Sequence, residues 1–182
     1  MPNNSYTVLA VNPGTKYLGI AVFRGLELQD WRVKNLNGKW SKEKLKKTLT
    51  IISTWVERYG PGLVAIKRLH PSRSSRSLNS LHTQIQRLCL KKKIKLIQYT
   101  IKQLETVFCH EERKNKRNLA EALTALYPEL TGELSIEKRR RNPYHMRMFE
   151  AVALGAAGVH EITNQRNRRE ACDCPSAPKQ HA

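Results

Sequence analysis

The sequence predicts an α/β domain: a mixed five-stranded sheet flanked by helices. Three observations lead there. The first forty residues hold apolar, β-branched runs joined by turns too short for a crossover, the pattern of an antiparallel meander. From Ser41 the apolar spacing changes to steps of four and three, one face of a helix. Beyond it, short apolar strands alternate with helical stretches, which adds a strand–helix–strand unit to the meander.

Each element has its own signal. Tyr6 to Asn12 is an apolar run that stops at Pro13-Gly14, a strong turn signal. Tyr17 to Phe23 alternates Leu18, Ile20 and Val22 against Tyr17, Gly19 and Ala21. Arg24-Gly25 connects it to a third strand, Leu28 to Val33. Leu45, Leu49, Ile52, Val56 and Tyr59 then mark a helix, with Ser41 as N-cap and Gly60-Pro61-Gly62 as terminator. Leu63 to Ile66 is continuously apolar, the type of strand buried on both faces. Leu78, Leu81, Ile85 and Leu88 mark a second helix, and Ile94 to Tyr99 is the fifth strand. Leu119, Leu123 and Leu126 lie on a helix ending before Pro128. Pro143 opens the last helix, through Phe149, Val152, Ala156 and Val159. One domain over residues 1–163 and a disordered polar tail over 164–182 are expected.

Charge narrows the partners. Lys and Arg total 33 against 15 Asp and Glu, a net charge of +18. Such a field attracts polyanions, with nucleic acid the leading class. A membrane partner is not expected, because no apolar stretch approaches the roughly 20 residues of a span. Cys89, Cys109, Cys172 and Cys174 are scattered rather than arranged as a disulfide framework, and Cys172-x-Cys174 lacks a second ligand pair for zinc. With no signal-peptide pattern at Met1 to Tyr6, a cytoplasmic location is expected.

The segment Val8-Leu9-Ala10-Val11-Asn12-Pro13-Gly14-Thr15-Lys16-Tyr17-Leu18-Gly19-Ile20-Ala21-Val22 closely resembles the opening of the RuvC-like Holliday junction resolvases, which have an RNase H-like fold. In that family such a strand ends Asp-Pro-Gly-Thr/Ser. Val64-Ala65-Ile66-Lys67-Arg68 stands where the family has a strand ending in Glu. Met148-Phe149-Glu150-Ala151-Val152-Ala153 stands where a late helix carries an Asp followed by small residues. The resemblance runs from about Tyr6 to Ile162.

It implies a two-metal nuclease site, in which cations about 3.5–4 Å apart stabilise the attacking and leaving oxygens. Hard cations such as Mg²⁺ need anionic oxygen ligands. The chain departs from that requirement at every such position. The first Asp falls on Asn12, the Glu on Lys67 and the helix Asp on Glu150, with Arg147 one turn earlier. These four are therefore degenerate positions, and neither a catalytic residue nor a metal site is expected. No cofactor is expected either. If the fold holds, Lys67 and Glu150 should approach within salt-bridge range with Asn12 hydrogen-bonding nearby. The plainer alternatives are a strand-end Asn serving its own turn and an exposed Glu on a helix surface.

From Arg58 to Leu104 the chain has no Asp or Glu. Lys16, Arg68, Arg73, Arg76, Arg87, Lys91, Lys92 and Lys93 are candidates for phosphate contact, with Lys138-Arg139-Arg140-Arg141 as an extension. Trp31, Trp40 and Trp55 are expected to pack rather than stack on bases. Of His70, His82, His110 and His145, which lack mutual metal-ligand spacing, His145 is retained as a neighbour of Glu150.

The leading expectation is a catalytically inactive RuvC-like protein that binds structured RNA or branched or duplex DNA within a nucleoprotein or ribonucleoprotein assembly, with protein partners in the complex. The alternative is an active, Mg²⁺-dependent crossover junction endodeoxyribonuclease using Glu150 with Asn12, Glu105 or substrate phosphates. A third possibility is an interaction module for an acidic protein.

Overall fold

The first strand, β1 (Thr7–Asn12), is buried on both sides, and its alternate residues enter two separate cores. It pairs antiparallel with β2 (Tyr17–Arg24), which pairs antiparallel with β3 (Glu27–Asn35). On its other edge it pairs parallel with β4 (Leu63–Lys67), and β4 pairs parallel with β5 (Lys95–Tyr99). The order is β3-β2-β1-β4-β5, the mixed five-stranded sheet expected. The structure is a computed structural model and describes residues 6–70, 72, 74–109, 114–140 and 143–172.

Helices α1 (Lys42–Tyr59) and α2 (Arg76–Lys91) cover one sheet face. Ser41 caps α1 by accepting from the Lys44 amide, and Gly60 closes it in the left-handed region at φ 53°. Ile52, Trp55, Leu81 and Ile85 meet Leu9, Val11, Leu18, Ile20, Val64 and Ile66 from the sheet. Trp55 stacks on Tyr59, and Trp31 and Trp40 lie partly buried against the cores, so all three tryptophans pack.

The opposite face carries α3 (Ile101–Phe108), α4 (Lys116–Leu126), α5 (Thr131–Arg140) and α6 (Pro143–Cys172). Two of these helices were not foreseen. The short α3 buries only Leu104 and Phe108 and is set by a capping box between Thr100 and Gln103. In α5 the sequence Thr-Gly-Glu-Leu-Ser-Ile-Glu-Lys-Arg-Arg has no sustained apolar period.

The central part of α6 is buried from Met148 to Val159 and small on much of its surface. That lets it lie close on the sheet. A Cβ at Gly19 would collide with the Arg147 carbonyl oxygen, and one at Gly155 with the Phe23 ring. The helix also runs beyond the end of the folded region expected at residue 163. Thr163 hydrogen-bonds Tyr6 at 2.9 Å, Gln165 accepts from Lys95 at 2.9 Å, and the Arg166 guanidinium lies 4.7 Å from the Tyr6 ring centroid. Polar residues that read as a tail in isolation thus find partners at the starts of β1 and β5. Residues 173–182, with Cys174, lie outside the described residues, as do Arg73, His110 and Arg141.

Candidate functional site

Pleating places the first two site residues. Val8 and Ala10 face the α6 side, so Asn12 follows them; Leu63 and Ala65 do the same on β4, so Lys67 follows. Val11 pairs with Ile66, which sets Asn12 and Lys67 side by side at the ends of parallel strands. Helix α6 crosses above them and contributes Arg147 and Glu150, one turn apart.

The four residues meet. Asn12 Nδ2 donates to Glu150 Oε2 at 2.7 Å and to the Arg147 carbonyl at 3.2 Å. Lys67 Nζ donates to the same carboxylate oxygen at 3.1 Å, matching the contact expected between this pair. Arg147 turns inward, with Nη1 3.4 Å from Asn12 Oδ1 and 3.9 Å from Glu150 Oε2. Asn12 therefore serves the helix rather than its own turn. Glu150 is 1% exposed, and so is not a surface charge.

A third cation, from another element, completes the cluster and was missed. Lys116 Nζ reaches Glu150 Oε1 at 2.5 Å from the first position of α4. The available signal was a lysine opening a helix with no acidic residue in its first turn, against the usual preference of the helix dipole. Its carboxylate partner lies far away in the chain.

Two opposed effects set the carboxyl's titration. Burial pushes Glu150 up, but Lys67, Lys116 and Arg147 together outweigh burial and hold it below the ordinary carboxylate value. Lys67 is held below the ordinary lysine value, first by burial and then by repulsion from Lys116 and Arg147, with Glu150 opposing. Three cations against one carboxylate leave a local charge of +2. This donor set does not fit Mg²⁺. A dication would find one carboxylate, already engaged by ammonium groups, and one amide whose nitrogen faces that carboxylate. Among the described residues, no group of three His, Cys, Asp or Glu residues is placed to hold a metal.

Other expected neighbours lie elsewhere. His145 turns to Glu133, 2.8 Å from Nδ1, and packs edge-on to Tyr144, so it does not join Glu150. Glu105 lies on α3, and the charges that act on the Glu150 carboxyl are those of Lys67, Lys116 and Arg147. His82 is buried within α2, whereas His70 is exposed and bonds Ser72.

The acid-free run is continuous in sequence but divided in space. Arg68 follows the end of β4 and Arg76 opens α2, both exposed at the same sheet end as Asn12 and Lys67. Lys16 is exposed in the β1–β2 connection at that end. Arg87, Lys91, Lys92 and Lys93 lie on the last turn and exit of α2, about 20 Å away along a helix rising 1.5 Å per residue. Arg87 and Lys91 instead line a groove between α1 and α2 with Lys46, and Lys92 pairs with Glu57 at 3.5 Å.

The sheet order, the split of helices between its faces and the long helix above the β1 and β4 ends are those of the RNase H-like fold found in RuvC. Solved structures share it. The structure described as T. thermophilus RuvC in complex with Holliday junction substrate aligns with 88% of this chain and 96% of its own, at TM-score 0.65 and 15% identity. A second Thermus thermophilus RuvC structure aligns over the same shares at TM-score 0.64 and 14% identity. The Fowlpox virus resolvase in complex with Holliday junction DNA covers 85% of this chain and 99% of its own, at TM-score 0.53 and 15% identity. At such identities the likeness is one of fold. No family model matches the chain, and no curated protein matches it in sequence. Among the described residues, no helix is long and apolar enough to cross a membrane.

Proposed function

We propose that this chain is a catalytically inactive nucleic-acid-binding protein on a RuvC-like fold, acting as a structural component of a nucleoprotein or ribonucleoprotein assembly. The observation that carries the reading is the ion cluster on Glu150. Where the resemblance calls for three carboxylates around metal, this chain offers one, and it is held by Lys67 and Lys116. A dication would have to displace both ammonium groups and then sit in a positive field, without the anionic ligands that offset its dehydration.

The net charge of +18 supports a polyanionic partner. So do two of the fold neighbours, which are complexes with a Holliday junction substrate and with Holliday junction DNA. Lys16, Arg68 and Arg76 stand exposed at the sheet end that carries the cluster and form the binding face in this reading.

The test is incubation of the purified chain with four-way junction DNA, duplex DNA and structured RNA, with Mg²⁺ or Mn²⁺. Binding without cleavage is expected. Metal-dependent cleavage that disappears in Glu150→Gln would establish the active-endonuclease reading instead.

A further inference from the structure

The charges of the cluster on Glu150 do not balance. The carboxylate lies at the bottom with 1% exposure. The three cations rise from it toward solvent, with side-chain exposures of 21% for Lys67, 34% for Arg147 and 52% for Lys116. They come from three independent elements, the end of β4, the start of α4 and the first turns of α6.

Glu150 offsets only one of them, and the surroundings add to the excess. The first turn of α4 has no acidic residue, so the positive end of that helix dipole has the same sign as Lys116, while the following Arg117 is shared with Glu137. Arg68 stands next to Lys67 in the chain and is exposed. The rim groups repel one another, since Lys116 and Arg147 both converge with Lys67 on the one carboxylate and act against the protonated form of that lysine. An anion seated on the rim would relieve it.

We propose that Lys67, Lys116 and Arg147 form a metal-independent seat for one backbone phosphodiester of the bound nucleic acid. The side-chain cations provide the counter-charge that divalent ions provide in two-metal nucleases. Ammonium and guanidinium groups converging from three directions suit a tetrahedral anion, and charge-assisted bonds to phosphate are the stronger class of hydrogen bond. The inference rests on the nucleic-acid-binding reading above and specifies where that binding is centred.

The test is fluorescence anisotropy of a fluorescein-labelled four-way junction DNA with the full chain, across a KCl series, in EDTA and in Mg²⁺. The wild-type chain is expected to bind at least as well in EDTA as in Mg²⁺. Lys116→Met, at an exposed rim position, and Arg147→Met, at a half-buried one, are each expected to weaken binding roughly tenfold, the scale of one charge-assisted hydrogen bond. Loss of the seated phosphate should also lower the slope of log K against log salt by about 0.9. Lys116→Arg should retain the affinity. Thermal unfolding of each variant checks that the fold is kept. Unchanged affinity and slope in both Met variants, with the wild-type chain still binding, would overturn the seat and leave the wider reading intact. Binding that requires Mg²⁺ would also overturn the seat. Failure of the wild-type chain to bind the junction, duplex DNA or RNA would overturn the wider reading itself.

Discussion

The side-chain amide of Asn12 donates to Glu150 at 2.7 Å, with both groups shut away from solvent. That bond ties the end of β1 to α6. An aspartate at position 12 would have no proton to donate in its ionised form and would bring a second negative charge to the same place.

Asn12→Asp is therefore expected to destabilise the fold at neutral pH without creating a nuclease. Two carboxyls so close cannot both ionise cheaply, and one pKa rises. A carboxyl with a raised folded value favours the fold while protonated, and that contribution is lost as pH climbs through the folded value. The variant should recover stability relative to wild type on acidification. Unfolding titrations across pH check this, and a stability gap that widens toward low pH would contradict it.

Lys67 and Glu150 should be energetically coupled. Removing one member of a buried pair leaves its partner's charge uncompensated, which costs about 3–5 kcal/mol at full burial. Lys116 still faces the carboxylate, so Lys67→Met should fall at or below the lower end of that range. Lys67→Met combined with Glu150→Leu should cost less than the two single changes added together. Denaturant unfolding of the four proteins in the cycle measures the coupling, and simple additivity would refute it.

The pH dependence of the wild-type chain has two signed contributions. Glu150 is held below its ordinary value of 4.5, so its stabilising contribution is present above that value and lost as pH falls through the folded value. Lys67 is held below 10.5, so the folded chain releases this proton before the unfolded chain does. Stability from this group rises as pH climbs from the folded value toward 10.5. Glu150→Gln should flatten the acid limb and Lys67→Met the alkaline rise, as read from melting temperatures in a pH series.

Gly19→Ala should disturb the site without touching any charge. The added Cβ meets the backbone carbonyl of Arg147, which cannot swing aside as a side-chain tip can. Overpacking of this kind costs about 1–3 kcal/mol. It would push α6 away from β2 and stretch the Asn12 bond to the Arg147 carbonyl. An unchanged melting temperature would show that the helix has room to spare.

The two ends of α2 should contribute unequally to nucleic-acid binding. Arg68→Ala with Arg76→Ala removes charge at the end shared with the Glu150 cluster, whereas Lys91→Ala with Lys93→Ala removes it at the far end. The first pair should reduce the salt slope more, by about 0.9 for each phosphate that is no longer neutralised. Equal effects would mean that the ligand spans the whole helix.

The pleat of a strand fixes which of its residues share a side, because successive side chains must point to opposite sides, but only the parallel pairing of β1 with β4 put Asn12 and Lys67 on one sheet face. The Asn-Pro-Gly turn and the change to helical spacing at Ser41 carried the element order, whereas the expected contact between Lys67 and Glu150 came from the resemblance to the RuvC-like resolvases. The turn and the helical spacing are local, so the sequence by itself determined them. Only the tertiary structure decided that Lys116 closes the ion cluster, that His145 turns to Glu133, and that the acid-free run divides between opposite ends of α2. It also decided that residues past 163 continue α6, where Tyr6 and Lys95 hold them. Such contacts depend on how helices are rotated and placed against a sheet. Local periodicity does not encode that, because residues distant in the chain meet only after the whole core has packed.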